Sequence, residues 1–189
     1  MRRVTSFVAA FVAVGGLTAV AFGASPHFLH GSSPSCTFST SPGGTATDTA
    51  TCGGGTLAGL GGEDLGLKLS GSAAGTFLCT NKGGNSSPGQ NKVPLSVPTG
   101  EKIIPGNEIK NGTLTLRSVS VTVPTPSATP EEAGCPNGTT WKTTISSIAF
   151  TSVTFVISQP PGTAIFTCTA SSPSGFKSGQ TVTLSCTAA

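Results

Sequence analysis

The sequence predicts an all-β fold, an antiparallel β-sandwich cross-linked by disulfides. Short segments in which apolar and polar residues alternate indicate strands with one buried face. Turn clusters rich in Gly, Pro and Ser separate these segments, and no helical period of useful length is present. Six cysteines lie downstream of an apolar leader, which is typical of an exported domain with three disulfides.

Residues 1–21 are predicted to be a signal peptide. Two arginines follow Met1, an apolar run covers residues 7–20, and Ala19 and Ala21 satisfy the small-x-small rule for cleavage after Ala21. An uncleaved membrane anchor is the alternative, but the run is short for a span of ~20 residues and contains two glycines. We therefore expect a secreted or cell-surface protein whose mature chain has no membrane span.

The rest of the chain is predicted to form one domain preceded by an arm. Residues 22–34 are expected to be a flexible N-terminal arm, and residues 35–189 a single β-sandwich domain. Ten basic and seven acidic side chains nearly balance once the two arginines of the leader are removed. This balance offers no electrostatic footprint for nucleic acid, which is not expected as a partner.

Five segments carry the period-two alternation of a half-buried strand. In the first, leucines occupy positions 65, 67 and 69. The alternating residues of the other four are Val93, Leu95 and Val97; Trp141, Thr143 and Ile145; Val153, Phe155 and Ile157; and Val182, Leu184 and Cys186. This pattern predicts that Trp141 lies in the core. Turn clusters at residues 41–44, 98–100, 159–162 and 172–175 separate strands of this kind.

The alternation changes phase at Arg117–Ser118. Leu114 and Leu116 occupy even positions before this point, whereas valines occupy the odd positions 119, 121 and 123 after it. A slip of one residue reverses the face that each side chain meets. The strand is therefore predicted either to bulge there or to cross from one sheet to the other.

Two short helical turns are predicted in the loops. Thr129 can cap a turn that has proline at its first position and Glu132 at its third, and Gly134 can end it. Residues 105–110 are predicted to form the second turn, closed by Asn-Gly at 111–112. The alternative there is a hairpin in which Asn-Gly is the turn itself.

The six cysteines are predicted to form three disulfides, for which fifteen pairings are possible. Two intervals between cysteines contain a Pro- and Gly-bearing turn cluster, so hairpins would bring the flanking cysteines together. The remaining two would form a long-range bond. The favoured pairs are Cys36–Cys52, Cys168–Cys186 and Cys79–Cys135.

No catalytic residue, metal ligand or cofactor is predicted. Disulfide pairing would consume the thiols that cysteine catalysis needs, and the two histidines, His27 and His30, lie just after the leader without the neighbours of a triad or a metal site. Two alternatives stay open. One is a secreted hydrolase that uses carboxylates from distant strands, and the other is calcium at Glu63–Asp64 with loop carbonyls.

The segment from Cys79 to Asn91 is the candidate ligand-contact loop, because amides and glycines are concentrated there beyond what one turn requires. Amide side chains offer donors and acceptors to a polar ligand, although they also commonly bond their own backbone. A Cys79–Cys135 bond would join this loop to residues 134–138 in one amide-rich end. The candidate contact residues are Asn81, Asn85, Gln90 and Asn91.

The same run, Cys-Thr-Asn-x-Gly-Gly-Asn-x-x-Pro-Gly-Gln-Asn, is similar to a loop in a family of small secreted proteins of unknown function. Residues 109–112 and 133–137 share the likeness, which would cover most of the region from Cys36 to Cys168. It implies a shared loop architecture and transfers no site. The architecture as a whole resembles immunoglobulin-like sandwiches.

These features together predict a secreted, non-catalytic binding or structural protein that acts outside the cell or at its surface. The amide-rich loop is its expected contact surface. Its partner is expected to be an extracellular or cell-surface component, and the secreted hydrolase is the alternative.

Overall fold

The computed structural model describes residues 25–40, 48–136 and 140–189. The predicted signal peptide and the turn cluster at 41–44 lie outside the described residues. Within those ranges the one helical element is a 3-10 turn at Gly106–Glu108. The strands are β1 (His27–Phe28), β2 (Ser35–Thr40), β3 (Asp48–Gly53), β4 (Thr56–Ala58), β5 (Leu65–Thr80), β6 (Ser86–Pro88), β7 (Val93–Leu95), β8 (Gly100–Ile104), β9 (Leu114–Thr115), β10 (Val119–Thr122), β11 (Lys142–Ser158), β12 (Ala164–Ser171), β13 (Thr181–Thr183) and β14 (Ser185–Ala188).

Two long antiparallel strands, β5 and β11, form the centre of the largest sheet. Their register places Leu69 opposite Phe155, with irregularities after Ile145 and Phe150. On one side of this pair lie β12 and β14. On the other side β8, β7 and β6 pair with successive parts of β5, so short strands cover its long edge.

A four-stranded sheet in the order β10-β3-β2-β13 packs against the inner face of the largest sheet. The ring of Phe38 on β2 lies 5.9 Å from that of Phe150 on β11 and 4.2 Å from that of Phe176 in the loop before β13, measured between ring centres. Buried residues alternate with more exposed ones along β3, as its sequence requires of a half-buried strand. The prediction of an all-β antiparallel fold with three disulfides is confirmed.

The phase change at Arg117–Ser118 marks a crossing between sheets. Leu114 and Thr115 form β9, which pairs with β4 in a third, small sheet of order β1-β4-β9. The chain then enters β10, which pairs with β3 in the four-stranded sheet. The prediction of a bulge or a crossing is confirmed, because Leu116 and Val119 both reach the core although their positions differ in phase.

The 3-10 turn confirms one of the two predicted helical turns, whereas residues 130–134 form a hydrogen-bonded turn that is not helical. The turn that begins at Thr129 has the predicted cap, and it forms part of the site described below. Both the helical turn predicted at residues 105–110 and its hairpin alternative are present, because the 3-10 turn is followed by a hairpin turn. Asn111 and Gly112 have φ angles of 52° and 69°, which is the backbone that Asn-Gly favours in such a turn.

Packing corrects two of the predictions. The described part of the predicted flexible arm is held on the domain, because β1 pairs with β4 and the ring of Phe28 lies 4.8 Å from that of Phe166. A strand of two residues is too short to give a periodic signal. The prediction that Trp141 is a core residue is also wrong, since it is half-buried immediately before β11.

The three disulfides form the pairs that the order of the cysteines favoured. The Cα atoms are 4.0 Å apart in Cys36–Cys52, 3.9 Å in Cys168–Cys186 and 5.6 Å in Cys79–Cys135. Each of the first two joins neighbouring strands within a sheet, Cys36–Cys52 in the four-stranded sheet and Cys168–Cys186 in the largest sheet. The third joins β5 to a turn. None of them is the bond between sheets that marks antibody domains, and the immunoglobulin-like relation stays a prediction.

Candidate functional site

The Cys79–Cys135 end of the domain is built from two segments, which we call the amide loop (residues 79–91) and the capped turn (residues 129–135). The disulfide joins them at their start and end. Backbone hydrogen bonds add to it, because the N–H of Asn91 donates to the carbonyl of Ala133 at 3.1 Å. Gly89 donates to Phe77 of β5 at 2.7 Å, which fixes the loop on the sheet.

A reciprocal cap holds the capped turn. The N–H of Thr129 donates to Oε2 of Glu132 at 2.8 Å, and the N–H of Glu132 donates to Oγ1 of Thr129 at 3.2 Å. The backbone N–H of Thr129, followed by its hydroxyl, lowers the pKa of Glu132, so this carboxylate stays ionised. The turn therefore presents a fixed negative charge at the surface.

Two of the four candidate amides are used to build the loop. Oδ1 of Asn81 accepts the N–H of Asn85 at 3.0 Å, which closes the loop tip. Nδ2 of Asn91 donates to the carbonyl of Glu132 at 3.1 Å, which ties the loop to the capped turn. A Cβ atom at Gly134 would lie 2.9 Å from the side chain of Asn91, so this contact needs glycine at that position.

The other two amides, Asn85 and Gln90, take no part in holding the loop through their side chains. Both residues are exposed, and neither side chain makes a hydrogen bond within the described residues. Asn85 lies at the tip of the loop, whereas Gln90 lies beside the capped turn. The residues predicted from the sequence therefore divide into two that hold the backbone and two that are available.

A groove of about 540 Å³ runs beside Gln90. It is lined by Gln90, Asn91, Lys92, Val93, Pro94 and Glu132. The groove continues along β7 into a second depression of about 250 Å³, whose far wall is the extended segment 123–127. We call the two together the amide groove. It combines an amide, a cation at Lys92 and the anion of Glu132 with apolar side chains at Val93 and Pro94.

Three carboxylates elsewhere in the described residues have structural partners. Glu101 pairs with Lys68 at 3.0 Å, Glu108 pairs with Arg117, and Oδ1 of Asp64 accepts the N–H of Gly106 at 2.9 Å. The described residues contain no cluster of three or more His, Cys, Asp or Glu side chains with metal-binding geometry. Their cysteines are all in disulfides.

Asp48 differs from the other described carboxylates because it is buried, and the sequence analysis missed it. It begins β3 on the inward side, is 2% exposed, and its Oδ1 has no hydrogen-bond partner among the described residues. Burial raises its pKa to about 6, although the backbone N–H groups of Phe150 and Thr49 act in the opposite direction. The alternation of Asp48 with Ala50 and Cys52 was the signal that could have found it.

Comparisons with protein families, with curated proteins and with solved structures found no match. The amide groove is therefore interpreted from its own geometry. In the part of the chain that the structure describes, no helix is long and apolar enough to cross a membrane.

Proposed function

We propose that the protein is a secreted or cell-surface binding protein without catalytic activity, and that the amide groove is its contact surface. The observation that carries the proposal is the free amide of Gln90 beside Lys92 and Glu132 on a fixed backbone. Donors, acceptors and both signs of charge suit an uncharged or zwitterionic polar chain. An oligosaccharide is the ligand class that we assign.

Preorganisation supports this proposal. A ligand-binding loop that is already ordered loses little conformational entropy when it binds. Here the disulfide, the Asn91 contact with Glu132 and the cap at Thr129 order the groove before any ligand arrives. The three disulfides also suit the oxidising space outside the cell, which supports the extracellular location.

The test is capture of oligosaccharides on a glycan array by the oxidised mature protein, followed by affinity measurements. Gln90→Ala combined with Lys92→Ala removes one amide and one charged donor, whose hydrogen bonds contribute together about 2–4 kcal/mol. We expect affinity to fall by at least about 30-fold. The matched control is Asn107→Ala with Lys110→Ala, which removes the same groups near the 3-10 turn at the opposite end of β5.

The outcomes separate the proposal from general effects on folding. Loss of affinity in the groove variant with normal affinity in the control supports the amide groove. Equal affinity in both variants contradicts it, and an array without a captured glycan contradicts the assigned ligand class. Asn85→Ala tests the loop tip, where an affinity loss of about 5-fold would extend the contact surface to that residue.

A further inference from the structure

The segment from residue 124 to residue 128 is an extended connection on the protein surface. Its sequence is Pro-Thr-Pro-Ser-Ala, and it belongs to no strand. The last backbone hydrogen bond before it joins the N–H of Val123 to Asp48, and the next backbone bond starts at Thr129. Its first four residues are therefore free of backbone hydrogen bonds within the described structure.

The two hydroxyls of this segment belong to Thr125 and Ser127. Thr125 and Ser127 are exposed, and neither makes a side-chain hydrogen bond among the described residues. Several hydroxyls on the sheets instead pair across strands, as in Thr49–Thr122 at 2.8 Å and Thr76–Ser147 at 2.7 Å. The segment therefore offers two free, accessible hydroxyls on backbone that is not paired in a strand.

We propose that Thr125 and Ser127 are attachment sites for O-linked sugars. Proline on the N-terminal side of each hydroxyl residue fixes the backbone in an extended form, which a transferase can bind at low entropic cost. Exposed Ser and Thr between prolines are also the composition of O-glycosylated segments. The proposal does not rest on the amide groove, although both hydroxyl residues line its second depression.

The reaction is a glycosyl transfer from an activated sugar whose anomeric carbon carries a phosphate-type leaving group. The hydroxyl oxygen of Thr125 or Ser127 forms a bond to the anomeric carbon. The bond from that carbon to the phosphate oxygen breaks, and the hydroxyl proton passes to a base of the transferase. No oxidant or reductant takes part.

The test is the intact mass of the protein secreted by the cells that naturally produce it, followed by fragmentation of the peptide that contains residues 124–128. We expect a mass above that of the disulfide-bonded mature chain by one or more whole sugar residues, located on Thr125, Ser127 or both. Thr125→Ala with Ser127→Ala should abolish the added mass. The control, Thr49→Val with Thr122→Val, should keep it.

Two results would overturn the proposal. One is the mass of the unmodified chain in wild-type protein, and the other is sugar found on hydroxyls of the sheets while 124–128 is bare. Circular dichroism of the double alanine variant should match the wild type, because neither side chain contacts another described group through a hydrogen bond. This measurement separates loss of the site from loss of the fold.

Discussion

Replacing Asp48 by Asn should stabilise the domain at neutral pH. The carboxyl group lies on the inward face of β3, in line with Ala50 and Cys52, where only 2% of the residue is exposed. Its Oδ1 lacks a hydrogen-bond partner among the described residues, so ionisation places a poorly compensated charge between the sheets. Asn keeps the shape of the side chain and cannot ionise.

The magnitude follows from the pKa of Asp48, which burial raises from its ordinary value of 3.8 to about 6. A difference of about 2 pKa units corresponds to roughly 3 kcal/mol. Because the pKa is higher in the folded state than in the unfolded state, folding favours the protonated, uncharged carboxyl group. The stability that protonation contributes is fully present below about pH 4. It is lost as the pH rises through about 6. The Asp48→Asn variant would bury an unpaired amide, whose cost of about 1 kcal/mol or more reduces the net gain.

The assay is urea unfolding of the oxidised protein at several pH values between about 4 and 7.5. The difference in free energy of unfolding between Asp48→Asn and wild type should rise by up to about 3 kcal/mol across this range. Glu63→Gln, which removes an exposed carboxylate, is the control and should show no comparable rise. A difference that stays constant from acidic to neutral pH would refute the assignment of a buried, destabilising carboxylate.

Three further changes test the Cys79–Cys135 end. Replacing both cysteines of this disulfide by Ser opens a loop with a sequence separation of 56 and should lower the free energy of unfolding by about 4 kcal/mol, and an unchanged urea midpoint would count against the bond. Thr129→Ala removes the cap and should cost about 1 kcal/mol in the same assay, whereas Thr129→Ser should restore most of it. Gly134→Ala combines a φ of 68° with a 2.9 Å approach to Asn91 and should cost roughly 1–3 kcal/mol, and a neutral effect would contradict the packing described.

The elements that the sequence predicted well are those with a local cause. The phase change at Arg117–Ser118 is a property of one strand, and it correctly indicated a crossing between sheets. The pairs Cys36–Cys52 and Cys168–Cys186 close hairpins of neighbouring strands, so their proximity follows from short intervals. The long-range pair was then determined by elimination.

The elements that the sequence did not predict depend on distant parts of the chain. The position of β1 is determined by β4 and by the ring of Phe166, which no local pattern near residue 27 could indicate. Trp141 matched the alternation of a strand, but β11 begins after it and leaves the indole half-buried.

The same reasoning explains how far the site could be predicted. The amide-rich composition indicated a loop, and the structure shows that the Cys79–Cys135 disulfide holds it. It could not show that Asn81 and Asn91 bond the backbone while Gln90 stays free, because the partners of Asn91 belong to the capped turn. Lys92 and the segment 123–127 were missed for a similar reason, since they become part of the groove only when β7 lies beside that segment.

The most direct test of the amide groove is a nuclear magnetic resonance titration of the oxidised, isotope-labelled protein with a captured oligosaccharide. Side-chain amide signals report on individual Asn and Gln residues. The account predicts that the signal of Gln90 shifts with the ligand while that of Asn107, near the opposite end of β5, stays in place. Shifts confined to residues outside the groove, with Gln90 unmoved at saturation, would contradict it.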